Sequence, residues 1–154
     1  METTVHCQIC ARDIKAKTGT IAHHGYQRPG NGWQTSSCLG AKYLPYEQSR
    51  DRIPQVIEMY KGFKQNNIDR EKDLLANPPA TITKFARYGF QEDKVYPRPE
   101  NFSVEKAMEG GSWNMNEYYE MEFKSMVKNR RSNVLSIDRE IKFLEDRYKN
   151  WKEA

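Results

Sequence analysis

The chain has 154 residues, of which 37% are hydrophobic and 30% charged, with a formal net charge of +4. That length allows one domain, or a small head on an extended body, and no run of about 18 apolar residues is present to span a membrane. The basic excess is mild, so contact with nucleic acid is permitted rather than demanded.

The first element in the chain is Cys7-Gln8-Ile9-Cys10, followed by His23-His24 and then Cys38. Two cysteines two residues apart form a tight knuckle that aims both thiolates at one metal. Zinc then needs two further sulfur or nitrogen ligands to complete a tetrahedron. Cys38 and one of the two histidines supply them, giving a Cys3His site of the closed, structural kind with no position left for substrate. All three cysteines lie in the first 38 residues. An odd number confined to one end does not suit a disulfide framework. The N-terminal Met1-Glu2-Thr3-Thr4 has neither the basic nor the apolar region of a signal peptide. Together these features lead us to expect a cytoplasmic protein whose thiols serve a metal.

Residues 1–45 are therefore expected to form a zinc-binding head. A β-hairpin is expected around a turn near Thr18-Gly19. Neighbouring side chains on a strand point to opposite faces, so His23 and His24 cannot both reach one metal. His24 is taken as the ligand, with His23 the alternative. A shaped loop follows, with Arg28, Asn31, Trp33, Gln34 and Thr35 on it. A cation, an aromatic ring and amides together suit a recognition surface. Packing of Trp33 over a small core is the competing explanation.

The stretches Ile21-Ala22-His23-His24-Gly25-Tyr26-Gln27-Arg28-Pro29-Gly30 and Gly32-Trp33-Gln34-Thr35-Ser36-Ser37-Cys38, with Cys7 and Cys10 before them, resemble small zinc-binding proteins of bacteriophages and their bacterial relatives. The resemblance covers about the first third of the chain and implies a phage or prophage source rather than a mechanism. Small phage proteins often block or redirect a host machine, so it also raises an anti-defence role.

Residues 46–111 read as short helices and a proline-rich extended segment. Asp51 can cap a helix over 52–65 whose apolar stripe is Ile53, Val56, Tyr60 and Phe63, with Pro54 in the first turn. Asn66-Asn67 is expected to break it, with a second helical piece over 68–76. Ile82, Phe85 and Tyr88 suggest helical turns stopped by Gly89. Val95-Tyr96-Pro97 reads as extended backbone. A short helix is expected over 104–109, capped by Ser103.

Residues 112–154 carry the clearest pattern, an amphipathic helix running from Met115 to about Trp151 without proline or glycine. Its seam is Phe123, Val127, Arg130, Val134, Ile137, Ile141, Leu144, Tyr148 and Trp151, with one polar interruption at Arg130. The fold class is thus mainly α, with a small N-terminal β-hairpin zinc head and a long C-terminal helix in a coiled coil or a helical hairpin. A first helix ending at 65 is too short to cover the seam, which favours a homodimer through the C-terminal helix. Arg130 and Arg131 belong to the most basic patch and are candidate partner contacts.

Two functions follow. The first is a non-enzymatic binding module with structural zinc, engaging a host protein in preference to nucleic acid, since no helix-in-groove signature is present. The alternative is a metal-dependent nuclease of the histidine–metal type with the spare histidine as base. That chemistry needs an oxygen-rich metal site or more His and Asn, and only Asn31 and Asp13 are at hand, so no enzyme is expected.

Overall fold

A computed structural model describes residues 4–16, 19–27, 34–85, 92–109 and 118–152. The elements in chain order are β1 (Thr4–His6), β2 (Asp13–Lys15), β3 (Gly25–Gln27), β4 (Gln34–Ser37), α1 (Arg52–Ala76), β5 (Thr81–Lys84), β6 (Lys94–Pro97), α2 (Val104–Glu109) and α3 (Tyr118–Lys149). Among the described residues the strands form three antiparallel pairs, β1–β2, β3–β4 and β5–β6. The fold is mostly helical, with small strand pairs at the N-terminus and a long C-terminal helix. No described helix is long and apolar enough to cross a membrane.

The chain divides into two compact units, one of residues 1–63 with 137–154 and one of residues 64–136. The division read from the sequence, 1–45, 46–111 and 112–154, follows the chain. The spatial division cuts across both long helices, because each contributes a segment to each unit.

In the first unit the knuckle of Cys7, Ile9 and Cys10 forms one core with Ile14, Ile21, Cys38, Ile53, Val56, Ile57, Ile141 and Leu144. Ile53, Val56 and Ile57 recur at the three-four spacing that puts them on one face of α1. The hairpin expected around Thr18-Gly19 is only partly formed. Ala16 bridges Ile21, and Gly19 has the positive φ of 79° that a tight turn asks of glycine. The main partner of β2 is instead β1, in the register Thr4↔Lys15, Val5↔Ile14 and His6↔Asp13. The knuckle is the loop of that hairpin, a pairing hidden because β1 is three residues long.

The start of α1 is tied to the knuckle. Gln8 is fully buried, and its Oε1 accepts from the Arg52 N–H at 3.0 Å. Its Nε2 donates to the Leu44 carbonyl at 2.8 Å and to Asp51 Oδ1 at 3.3 Å. Asp51 does precede the helix, as expected, and Ser49 donates to its carboxylate, holding it below the usual aspartate range. The side-chain cap on the first N–H of α1, however, comes from far away in the chain. Gln8→Ala removes the buried Gln8 bonds to the Arg52 N–H, the Leu44 carbonyl and Asp51 and is expected to cost about 1–3 kcal/mol. A lowered urea midpoint with unchanged metal content checks this.

The expected break at Asn66-Asn67 does not occur, and α1 runs unbroken for 25 residues. In the second unit Asn67 Oδ1 accepts from Arg130 Nη1 at 3.4 Å and from Asn133 Nδ2 at 3.3 Å, while Arg131 Nε pairs with Glu71 at 2.7 Å. Asparagine is a poor helix former because its amide competes for local backbone. Here the Asn67 amide is occupied across the helix pair instead. The same bonds give the polar interruption in the α3 seam its partner.

Phe123 and Val127 of the seam are fully buried in the second unit, and Ile141 and Leu144 are buried in the first. The reason for expecting a second copy, a first helix ending at 65, is thereby removed. Ile82 and Phe85 do not form the helical turn expected of them. Thr81-Ile82-Thr83-Lys84 is a strand paired with β6, with Ile82 opposite Tyr96. Its β-branched alternation outweighs the three-residue spacing, and Tyr88 and Gly89 lie outside the described residues. Ile82 is buried, whereas Phe85 is 73% exposed. Strand β6 and helix α2 fall where the sequence puts them, the latter with Ser103 Oγ accepting from Lys106 N at 3.5 Å. Phe102 meets Tyr119 and Phe123 edge-on, each at 5.2 Å between centroids.

Candidate metal centre

Two hairpins build the centre. The loop of β1–β2 carries Cys7 and Cys10. It closes through Cys7 N–H to the Arg12 carbonyl at 3.0 Å and Ala11 N–H to the Cys7 carbonyl at 3.1 Å. Ala11 takes a left-handed φ of 59°, which turns the chain back into β2. The second hairpin works at its open end. His24 immediately precedes β3 and Cys38 immediately follows β4. Gly25 pairs with Ser37, and the Cys38 N–H donates to the His24 carbonyl at 2.9 Å. Strand pairing therefore sets the third and fourth donors side by side.

The donor atoms of Cys7, Cys10, His24 and Cys38 all lie within 4.8 Å of one another. Cys7 Sγ and Cys38 Sγ are 3.7 Å apart. That is far beyond the S–S bond of about 2.05 Å. It matches the edge of about 3.8 Å that a tetrahedron with zinc–sulfur bonds of about 2.3 Å requires. Cys10 Sγ lies 3.3 Å from His24 Nε2, near the sulfur–nitrogen edge of about 3.6 Å of the same polyhedron. His24 Nδ1 donates to the Ala22 carbonyl at 2.8 Å. That bond leaves the proton on Nδ1 and a lone pair on Nε2, facing the thiols.

The three cysteines are unbridged and buried. Hydrogen bonds from Cys38 and Cys7 push the Cys10 thiol well below its ordinary range, while the Cys38 and Cys7 thiols are pushed up, chiefly by Cys10. The set thus holds one negative charge easily and resists three, because like charges at this distance cannot all ionise unaided. A divalent cation bound here would replace the remaining protons. Backbone N–H groups also point at the sulfurs: Ile9 and Cys10 toward Cys7, Arg12 toward Cys10, and Gly40 toward Cys38. The residues present therefore fit a metal bound by three thiolates and one imidazole.

His23 points away from this cluster. It is exposed, and its Nε2 lies 2.9 Å from Ser37 Oγ. Of the candidate recognition residues, Arg28, Asn31 and Trp33 lie outside the described residues. Gln34 and Thr35 are in β4, with their side chains outside the described set. Arg130 and Arg131 are engaged with Asn67 and Glu71.

Three supporting residues escape a reading of the sequence. Gln8 sits between two ligands but points the other way, into the α1 terminus. Arg147 comes from the end of α3 to the carbonyls of Cys7 and Gln8. Gly40, two residues after Cys38, could have been noticed as a glycine beside a ligand. A Cβ built there would overlap Cys7 Sγ and lie 3.2 Å from Ile9 Cγ1. Gly40→Ala is therefore expected to push Cys7 off its position and weaken metal binding about 10-fold or more. Competition against a chromophoric chelator measures this, and an unchanged affinity would count against the packing.

No known protein family, curated protein or solved structure matches the chain.

Proposed function

We propose that this is a non-enzymatic binding protein whose head is held rigid by structural zinc on Cys7, Cys10, His24 and Cys38. Its partner is a host protein met by a phage-derived product, in preference to nucleic acid, and the 28–35 loop is the contact. The observation that carries the zinc part is the donor set itself. Three buried thiols and one imidazole with donor atoms within 4.8 Å of one another, the Cys7–Cys38 and Cys10–His24 separations near tetrahedral edges, suit a closed zinc site with no position for substrate. An anti-defence role is the form of host engagement that the resemblance to phage proteins favours. A homodimer through α3 is a further proposal, and it now draws only on exposed apolar residues such as Met121 and Leu135.

The test pairs wild type with Arg28→Ala and Trp33→Ala in capture from a bacterial lysate, with and without nuclease treatment. A protein retained by wild type after nuclease treatment and lost with both variants supports the reading. Retention that disappears with nuclease transfers it to nucleic acid. Light scattering of the same samples reads the oligomer.

The nuclease alternative gives His23 the work of a base. Under the binding reading His23→Ala leaves zinc content at one per chain, and His24→Ala loses it. Cleavage of DNA or RNA by wild type with magnesium or manganese, lost on His23→Ala, would reverse this choice.

A further inference from the structure

Arg147 lies near the C-terminal end of α3, and its guanidinium reaches the knuckle nearly the whole length of the chain away. Its Nε donates to the Gln8 carbonyl at 3.1 Å and its Nη2 to the Cys7 carbonyl at 3.1 Å. The guanidinium plane lies over the Tyr46 ring at 3.8 Å, and the Tyr46 hydroxyl donates to the Arg147 carbonyl at 2.5 Å. Trp151 Nε1 donates to the Tyr46 carbonyl at 2.5 Å, closing the clamp. Burial disfavours the guanidinium charge, and Tyr46, Cys7, Cys10 and Glu47 favour it. Glu47 is itself engaged with His6.

Three thiolates and a neutral imidazole around a divalent cation leave one net negative charge at the centre. Such a charge in a buried place needs a counter-charge or strong hydrogen bonds. Arginine keeps its proton in proteins and offers a rigid fork that can span two adjacent carbonyls. Two other guanidiniums among the described residues lie near the centre, Arg12 with its Nη1 on the Gly25 carbonyl at 3.2 Å and Arg52 with its Nε on the Leu39 carbonyl at 3.1 Å, so that both serve the second hairpin's side rather than the knuckle.

We propose that Arg147 is a positioning residue of the metal centre, holding the Cys7–Cys10 loop in its ligating shape and supplying the positive charge that balances a Cys3His site. This rests on the zinc reading above. Its consequence is that the head is no autonomous finger. Its metal affinity is set in part by the last turns of α3, so the site reaches full strength only when the C-terminal end has docked.

The experiment is a cobalt(II) titration of the full chain, followed by zinc(II) competition, on wild type, Arg147→Gln, Arg147→Lys and Tyr46→Phe. Arg147→Gln is expected to lose about 10–100-fold in metal affinity, the usual effect of removing a group that supports a ligand. Arg147→Lys, which keeps the charge and loses the fork, is expected to recover part of it and to bind measurably more weakly than wild type. Tyr46→Phe removes the clamp hydroxyl and is expected to lower the melting temperature with affinity unchanged. That separates electrostatic support from general destabilisation.

An Arg147→Gln protein that binds as tightly as wild type overturns the proposal, and so does an Arg147→Lys protein as weak as Arg147→Gln. Should Arg147→Gln fail to fold, Arg147→Lys decides alone. A measurable loss of up to about tenfold supports the role, whereas affinity equal to wild type, or a loss as large as that of a ligand substitution, overturns it. Wild type that takes up no cobalt or zinc is the separate failure of the metal reading.

Discussion

Cys38→Ser is expected to abolish stoichiometric zinc binding and to unfold the unit built from residues 1–63 and 137–154. Serine is the smallest change available, yet it replaces a soft thiolate with a hydroxyl that zinc rarely accepts as a ligand. Structural zinc supplies apparent binding energies of about 10–16 kcal/mol in small finger peptides at neutral pH. A whole domain is stable by only about 5–15 kcal/mol. Loss of one ligand therefore removes a share comparable with the whole. A metal on these donors would also gather two hairpins whose strands are only three or four residues long, and isolated hairpins of that size are marginal in water. Elemental analysis and circular dichroism, with and without chelator, are the measurements. The proton balance fixes the pH direction. Because Cys7 and Cys38 are pushed up when protons alone occupy the set, metal must displace protons, so affinity should fall as pH is lowered. A Cys38→Ser protein that keeps one zinc and melts like wild type would remove the foundation of the functional reading.

Phe123→Ala is the second large effect, and it falls on the other unit. Phe123 is fully buried, meets Phe102 edge-on and stacks over Tyr119 at 6.5 Å. The unit of residues 64–136 has a buried set of only Ile82, Ala107, Tyr119, Phe123 and Val127 among its described residues. A cavity the size of a phenyl ring has few neighbours able to collapse into it. The expected loss is about 3–5 kcal/mol, read as a shift of the urea midpoint. Zinc content should stay at one per chain, because no ligand or ligand support lies in that unit. The contrast with Cys38→Ser is itself informative, since one change strips metal and the other leaves it. Loss of zinc on Phe123→Ala would mean that the two units do not fold independently.

Much of the candidate centre was legible from residue order. A Cys-x-x-Cys pair, adjacent histidines and one later cysteine constrain each other through the chemistry of zinc, and that chemistry is local and short-ranged. The long α3 was legible for the same reason, as a seam repeating every three or four residues without proline or glycine needs no tertiary information. The break at Asn66-Asn67 was misjudged because intrinsic propensity argues against a helix there. The bonds that occupy the Asn67 amide come from Arg130 and Asn133, more than sixty positions later.

Order along the chain was thus enough to point to Cys7, Cys10, Cys38 and one of two adjacent histidines as candidate metal donors, and to place α2, β6 and α3. Three-dimensional packing alone decided that β1 pairs with β2 around the knuckle, that His24 Nε2 rather than His23 faces the thiols, and that Gln8 caps α1. It alone brought Arg147 onto the carbonyls of Cys7 and Gln8. The reason is one of range. Spacing and periodicity encode what a residue does to neighbours within a turn or a strand, whereas a hydrogen bond across 139 positions leaves no trace until the chain has folded.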